Sequence, residues 1–526
     1  MPLIPQLRAL FCNPATRKEM EYRHNYKSNN GIIQDIFDGE RYHKLRDTYV
    51  AINGQQKPYK FFEDEREVAL GFATDGMCPF KRRKHSCWPL VLINYNLPPE
   101  IRTHIDNLLC VGLVPGPKSP KNLGSFLIPL IEELIELASG TPAVDYVKGV
   151  IFALRAHILA GFGDIPAISK ILEFLGHNGH FPCRLCLIKS VRGVTAKGGT
   201  HLYCPLHRSG AAGPPIDPLQ LQLRQHDECV RLGFEVLKGK SDNARAKLAA
   251  KSGIKGVSVF HELPSVSIPN TFPVDIMHMV WINLVPQLTK LWTGTFNMLD
   301  DGREDYSIHP TVWDALAKLT ESSGSTIPSS FGCRVPNLNA TSHFTAESWS
   351  MWATLLAPSL LRRRFRRATY YIHFVQLIKL LNRCTSFSIR RDEINDIRQG
   401  LAKWVQDYER IYYQYNPSRI QTCTVNLHYL LHIADSVELL GPVWCYWTFP
   451  MERFCSYVGA SVKSRRFPYA NIVRRIRDVT QLRIIRDLYH LQGELSFKPI
   501  KPLMDTDEDC KDAEKLPDCK PQWNTI

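Results

Sequence analysis

The sequence lacks any run of hydrophobic residues long enough to cross a lipid bilayer. A transmembrane helix needs about 18 or more consecutive apolar residues, and no stretch of the 526-residue chain reaches that length without interruption. A secretory signal is also missing, because Arg8 falls inside what would have to be its apolar core. These absences argue against a membrane protein and predict an intracellular one.

Internal repeats are absent, which argues against a solenoid, and acidic residues are outnumbered. The chain has 65 Lys and Arg against 51 Asp and Glu, so its formal net charge is +14 and its isoelectric point is near 9.1. This balance predicts a polyanionic partner and fits a simple metabolic enzyme poorly. The 15 cysteines, with no signal for export, predict free thiols and metal ligands rather than a disulfide framework.

Hydrophobic patterning predicts an α/β fold. Three short β-rich runs lie between residues 67 and 117, a segment of helical period ends at Gly140, an apolar run ends at Asp164, and a helix follows Pro166. The order β-β-β-α-β-α is the connectivity of an RNase H-like mixed sheet, which a large, mainly α-helical insertion would interrupt. We expect these segments: a helical lead-in over 1–66, the first part of the core over 67–190, a loop or linker over 191–258, the insertion over 259–438, the last strand and a Glu-bearing helix over 439–495, and an acidic disordered tail over 496–526.

Three carboxylates stand where such a sheet would bring them together. Asp75 ends an apolar β-run and is followed by Gly76, Asp164 ends the proposed fourth strand, and Glu452 falls in the first turn of the last core helix. Two hard divalent cations held by carboxylate oxygens would activate a water or a 3′-hydroxyl and stabilise the leaving oxygen of a phosphodiester. For any single one of these Asp residues, the plainer interpretation is a turn or a helix cap.

Cys183 and Cys186 have the C-x2-C spacing that a turn can fold around one metal ion. The pair that would complete a zinc site stays open between three choices: His177 with His180, Cys204 with His207, or His428 with His432. We favour the last pair, because it would join a distant helix to the sheet.

Several motifs, in this order, resemble the transposase of CACTA (En/Spm-type) DNA transposons, closest to the fungal branch. They are ATDGMCPF, WPLVLINYNLPP, VGLVPGPKSPKNLGSFLIPLIEEL, GDIPA, PCRLC, FPVDIMHMVWINL, GPVWCYWTFPMERF and SRRFPYANI. The resemblance covers roughly residues 7–490. It implies a nuclear DDE-type enzyme that uses two Mg²⁺ or Mn²⁺ ions for cleavage at transposon ends and strand transfer. Its partner would be double-stranded DNA, and it would act as a homodimer or a higher synaptic oligomer.

The resemblance also assigns residues. Asp75 and Asp164 match the two catalytic Asp positions of the family. Glu452 in P-M-E-R-F is the best match for the catalytic Glu, and Glu347 in FTAESW is the second choice. The C-x2-C followed by H-x3-H resembles the zinc site of the Transib and V(D)J recombinase cores, which implies a structural zinc on Cys183, Cys186, His428 and His432. Complete family members carry further segments on both sides, so a catalytically inactive or domesticated relic acting as a DNA-binding or structural protein is the alternative.

Basic runs are the predicted DNA contacts, against the plainer interpretation that they only solvate a surface. Those expected to flank the metal site are Lys81, Arg82, Arg83, Lys84, Lys463, Arg465, Arg466, Arg474 and Arg475. The run 362–367 (RRRFRR) is equally balanced between the two interpretations. Asp275 and His278, three residues apart on one helix face, invite a metal interpretation, but we favour a structural role in the insertion.

Overall fold

A computed structural model describes residues 1–80, 86–194, 200–208, 214–328, 332, 334–462 and 466–495. The described chain is mixed α/β and about 50% helical, with one four-stranded mixed sheet and several two-stranded ones. No helix in this part of the chain combines the length and the apolar character that crossing a membrane requires.

Strands and helices are numbered here in chain order. The strands are β1 (Ile32–Ile33), β2 (Tyr49–Ile52), β3 (Gln55–Lys60), β4 (Val68–Thr74), β5 (Trp88–Asn94), β6 (Leu109–Val114), β7 (Thr141–Asp145), β8 (Val150–Leu154), β9 (Ala156–Phe162), β10 (Val191–Val194), β11 (Thr200–Tyr203) and β12 (Ile389–Arg390). The helices are α1 (Leu3–Cys12), α2 (Pro14–Glu19), α3 (Tyr22–Asn25), α4 (Glu40–Arg46), α5 (Pro99–Arg102), α6 (Gly124–Ser139), α7 (Ile165–Ile171), α8 (His226–Leu237), α9 (Asp242–Ser252), α10 (Val285–Trp292), α11 (Pro310–Ser323), α12 (Ala346–Met351), α13 (Ala357–Leu360), α14 (Ala368–Cys384), α15 (Arg391–Tyr408), α16 (Val425–Tyr429), α17 (Ile433–Leu440), α18 (Phe449–Ala460) and α19 (Pro468–Leu488).

The four-stranded sheet has the order β6-β5-β4-β9. β4 pairs antiparallel with β5 and parallel with β9, and β5 pairs antiparallel with β6. Every residue of β4, β5 and β9 is buried, which is why these strands are continuous apolar runs rather than alternating ones. The predicted three strands, helix, parallel fourth strand and following helix are therefore confirmed, although the β7–β8 hairpin lies between α6 and β9.

The two faces of this sheet pack against different partners. Leu70 and Phe72 of β4 share a core cluster with α6, whose Leu127 and Leu134 are buried. Ala69 and Ala73 face the other way and join the large cluster formed with the helical part of the chain. Alternate residues of a strand point to opposite faces, so β4 lies between a helix on one side and the helical region on the other.

In the segment 191–258, which the sequence predicts to be a loop or linker, the described residues include regular secondary structure. It contains the β10–β11 hairpin and the helices α8 and α9. The Ser241 side chain caps the start of α9, and Gly253 ends it with a left-handed backbone at φ +80°. Gly233 of α8 lies so close to the Gly256 backbone that an added Cβ would stand 2.5 Å from the Gly256 carbonyl oxygen. The prediction was wrong because small and charged residues can form a helix once its ends are capped.

The last core strand predicted near residue 443 is not a strand either. A 3₁₀ turn, Val443–Cys445, occupies this place, after Gly441 ends α17 with φ +86°. The Cys445 carbonyl accepts a hydrogen bond from the Tyr95 hydroxyl at 2.8 Å instead of a ladder bond. A short apolar run does not by itself distinguish a strand from another buried segment, and here helices enclose it.

Candidate metal centres and nucleic-acid surface

Asp75 and Asp164 lie at the carboxyl ends of two neighbouring parallel strands. Asp75 follows Thr74 at the end of β4, and Asp164 comes two residues after Phe162 at the end of β9. The Asp164 carboxylate caps α7 by accepting a hydrogen bond from Ala167 N at 2.5 Å. Asp75 accepts one from Gly76 N at 2.6 Å. Each Asp therefore makes the local turn or cap contact of its plainer interpretation, and both stand at one edge of the sheet.

Glu452 reaches this edge from α18. The helix begins at Phe449 with Pro450 in its first turn, and Glu452 lies in that turn as predicted. One carboxylate oxygen of Glu452 lies within 4.8 Å of ligand atoms of both Asp75 and His278. The runner-up, Glu347, is an exposed residue of α12 and does not belong to this group of described residues.

His278 is the residue that sequence reasoning did not place at the site. It lies on the π-helix Met277–Leu284, and its Nε2 atom is 4.0 Å from Asp75 Oδ2 and 3.5 Å from Glu452 Oε1. Its Nδ1 atom lies 2.6 Å from Oδ2 of the buried Asp275. The Thr448 hydroxyl donates to the same Asp275 oxygen at 2.8 Å. Asp275 comes just before this helix. An Asp and a His three residues apart in an apolar segment are the sequence signal for this pair, since buried polar groups need partners.

The electrostatics of the site are those of crowded carboxylates around one imidazole. Burial, reinforced by the negative charge of Asp164, raises the pKa of Asp75 to about 7. The neighbouring His278 imidazole lowers the pKa of Glu452. Burial opposes protonation of His278, but its hydrogen bond with Asp275 and the neighbouring Glu452 carboxylate outweigh it and raise its pKa to about 11. Such a concentration of negative charge favours a bound cation.

Asp164 stands slightly apart from this group. Its ligand atoms are not among those within 4.8 Å of each other, and burial raises its pKa. Asp164 and His278 both line a cleft of about 950 Å³ that runs between α7, β11 and the π-helix. The cleft therefore exposes Asp164 and His278 to molecules from solvent.

A second cluster brings together Cys183, Cys186, His428 and His432, each at most 1% exposed. Cys186 Sγ lies 3.2 Å from His428 Nε2, Cys183 Sγ lies 3.5 Å from His432 Nε2, and the two Nε2 atoms are 3.3 Å apart. Around a tetrahedral zinc ion with bonds of ~2.3 Å to sulfur and ~2.0–2.1 Å to nitrogen, S–N edges of ~3.5 Å and N–N edges of ~3.3 Å are expected. These residues have the ligand types and spacing of a zinc site.

Neighbouring residues orient this cluster. Asp435 Oδ2 lies 3.8 Å from His432 Nδ1, and Asp435 is itself held by Arg398. Burial would raise the pKa of the Cys183 thiol, but hydrogen bonding from Cys186 and the neighbouring histidines hold it well below its usual value. Among the described residues, the alternative zinc ligands do not belong to this cluster. These alternatives are His177, His180, Cys204 and His207. His428 is in α16, whereas His432 ends the 3₁₀ turn Leu430–His432, so the pair does not lie on one regular helix as expected.

The predicted DNA contacts are partly described. Arg474 and Arg475 are exposed on α19, and Arg466 is exposed just before it, with its guanidinium 5.3 Å from the Phe467 ring centroid. The other predicted contacts and the tail 496–526 lie outside the described residues. These contacts are Lys81, Arg82, Arg83, Lys84, Lys463 and Arg465. In the run 362–367 only Phe365 is buried, and the arginines are exposed.

Part of the chain is similar to a known protein family. Residues 42–208, about a third of the chain, match the model of the transposase family tnp2. The matched residues include Asp75, Asp164, Cys183 and Cys186, whereas Glu452, His428 and His432 lie beyond them. No curated protein matches the chain. The family match supports a transposase and implies DNA binding.

Proposed function

We propose that the chain is the catalytic core of a DDE-type transposase of the CACTA (En/Spm) kind, with an RNase H-like sheet interrupted by a helical insertion. Its reaction would be cleavage at transposon ends and transfer of the freed 3′-hydroxyls into target DNA. The observation that carries this proposal is the meeting of three elements at one edge of the sheet. Asp75 and Asp164 end adjacent parallel strands, and Glu452 arrives from a helix far along the chain.

The residues at this edge fit divalent cations. Asp75 and Glu452 offer carboxylate oxygens within 4.8 Å of each other, and Asp164 is close enough for its charge to raise the pKa of Asp75. Carboxylate oxygens are preferred ligands of Mg²⁺ and Mn²⁺. Asp75, Asp164 and Glu452 would together hold the ions. When bound, the ions would polarise the phosphodiester and help to deprotonate the attacking hydroxyl.

The chain's own residues position these carboxylates. The Asp164 carboxylate is fixed by Ala167 N, and the Gly76 N–H fixes one oxygen of Asp75 so that the other faces the cleft side occupied by His278. Added bulk beside Asp75 would collide, since a Cβ on Gly76 would stand 2.9 Å from the Trp88 ring. The fold therefore fixes the orientation of two carboxylates before any ligand arrives, and fixed geometry is a large part of catalysis of this kind.

A structural zinc ion on Cys183, Cys186, His428 and His432 belongs to the same proposal. The cluster joins the loop that follows the sheet to α16 and the turn after it. Glu452 follows this region by only two short helical elements, α17 and the 3₁₀ turn Val443–Cys445. Zinc would hold the segment that delivers Glu452 against the sheet.

DNA would lie over the metal edge and against basic residues near it. Arg466, Arg474 and Arg475 follow α18 directly in the chain and are exposed. Neutralising phosphates with such residues releases counterions and supplies much of the binding free energy.

Cleavage of labelled DNA tests this proposal. The substrate is a duplex taken from the DNA flanking the coding sequence, incubated with purified protein in Mg²⁺ or Mn²⁺. Wild-type protein should nick it and Glu452→Gln should not, whereas Glu347→Gln, a matched change in the runner-up residue, should nick it normally. Failure of the wild type to nick with either ion, while it still binds the duplex, would favour the relic alternative. Loss of nicking in Glu347→Gln alone would reassign the third carboxylate.

A further inference from the structure

We propose that His278 is a ligand of the ion held by Asp75 and Glu452, so that this metal position has mixed nitrogen and oxygen ligands. The inference rests on the proposed function, because it concerns the same ions. It adds a fourth protein ligand to the three carboxylates and separates the two ion positions chemically.

The distances around His278 suit ligation. Its Nε2 atom is 3.5 Å from Glu452 Oε1 and 4.0 Å from Asp75 Oδ2. Two ligand atoms bound to one ion at ~2.0–2.2 Å lie between ~3 and ~4.4 Å apart, depending on the angle between their bonds. Both measured distances fall in that interval, and both exceed the length of a good hydrogen bond. An ion among these three atoms would satisfy all of them at once.

The other ring nitrogen of His278 already has a hydrogen-bond partner. Nδ1 lies 2.6 Å from Asp275 Oδ2, and the Asp275 side chain is 3% exposed. Histidines that bind metals usually donate their second ring N–H to a carboxylate, which fixes the ring and leaves the first nitrogen for the ion. An ion bonded to Nε2 would replace any proton there, and that proton would leave to solvent while Nδ1 kept its own.

Asp275 is a positioning residue in this arrangement. It accepts hydrogen bonds from His278 N at 3.1 Å and from the Thr448 hydroxyl at 2.8 Å. Thr448 also precedes α18, the helix that carries Glu452. The residues that hold His278 and the start of the helix that carries Glu452 are therefore connected through Asp275, which explains why a buried acid lies just before the π-helix.

The ligand types predict different preferences at the two positions. Imidazole nitrogen suits Mn²⁺, Co²⁺ and similar ions better than Mg²⁺, whereas an all-carboxylate position accepts Mg²⁺ readily. The position with His278 should therefore bind Mn²⁺ more tightly than Mg²⁺, and that preference should depend on one side chain.

Electron spin echo spectroscopy of bound Mn²⁺ tests the inference without relying on activity. Zinc-loaded protein receives one equivalent of Mn²⁺, and nitrogen modulation of the manganese signal is compared with and without ¹⁵N-labelled histidine. The wild type should show nitrogen modulation that changes with the label. His278→Gln should lose it and bind Mn²⁺ roughly 10-fold to 100-fold more weakly, a range typical of lost ligand support. His177→Gln, a change in an exposed histidine of the same cleft, should keep the wild-type signal.

Asp275→Asn separates ligation from structural support. An amide in place of the Asp275 carboxylate can donate to Nδ1, which would leave the proton on Nε2 and block ligation. This variant should lose nitrogen modulation although His278 is present. If wild-type Mn²⁺ shows no nitrogen modulation but is released by Asp75→Asn, the inference fails and the proposed function stands. If Asp75→Asn does not change Mn²⁺ binding, the proposed function fails as well.

Discussion

Removing the zinc ligands should separate the distant parts of the chain that this cluster joins. In the double variant Cys183→Ser, Cys186→Ser, both sulfurs are lost from a site whose four residues are at most 1% exposed. Without an ion, at least two buried polar groups would lack a full partner, at ~1–3 kcal/mol each. The free energy of unfolding should therefore fall by about 2–6 kcal/mol.

The assay combines zinc content with stability. Wild-type protein, purified without added chelator, should contain one zinc per chain by elemental mass spectrometry, and its melting temperature should fall when the zinc is removed. The double variant should contain none and should melt at the lower temperature with or without chelator. Cys204→Ser is the matched control, because Cys204 is a buried cysteine outside the cluster. Unchanged zinc in the double variant, or zinc loss in Cys204→Ser, would refute the assignment.

Three further predictions concern other parts of the molecule. Arg474→Ala with Arg475→Ala should weaken DNA binding for any sequence and lower the slope of log affinity against log salt by about one unit per lost contact, measured by fluorescence anisotropy, whereas Arg231→Ala, an exposed arginine paired with Glu235, should not. Burial lowers the pKa of His373 to about 4, so the unfolded chain takes up its proton first as pH falls below 6.5. Stability should therefore drop by about 2 kcal/mol between pH 7 and pH 5 through this group, and denaturant titrations of His373→Gln should lack that part of the loss. Gly161→Ala would place a Cβ 2.4 Å from the Phe272 ring and should cost about 1–3 kcal/mol in the same titrations, while Gly31→Ala, with only a 3.8 Å contact, should cost little.

Local patterning predicted the sheet because three of its four strands are buried along their whole length. Continuous apolar runs bounded by turn residues marked β4, β5, β6 and β9, and the three-residue and four-residue spacing marked α6. These features depend on periods shorter than a dozen residues. Asp75 and Asp164 could then be paired from the order of the elements, since strand ends that are adjacent and parallel meet at one edge.

Local patterning did not predict features that depend on contacts between distant parts of the chain. The turn at Val443–Cys445 is predicted as a strand from its apolar sequence, because the helices that its side chains pack against are not visible in the local pattern. His278 is predicted to have a structural role, with a metal role as the less favoured interpretation, since nothing near it in the sequence indicates that Asp75 and Glu452 face it. In α9, the Ser241 cap and the Gly253 stop are the local signals of a helix.

The central claim is that Asp75, Asp164 and Glu452 carry out metal-dependent cleavage of DNA, and one paired measurement tests it most directly. Binding and nicking of the same labelled duplex are followed for wild type and Asp75→Ala at equal protein and Mn²⁺ concentrations. Asp75→Ala should bind the duplex about as tightly as wild type, since the basic residues remain, and should nick it roughly 10²-fold to 10³-fold more slowly, in the range that loss of one major catalytic group produces. Nicking by Asp75→Ala at the wild-type rate would contradict the assignment of the site.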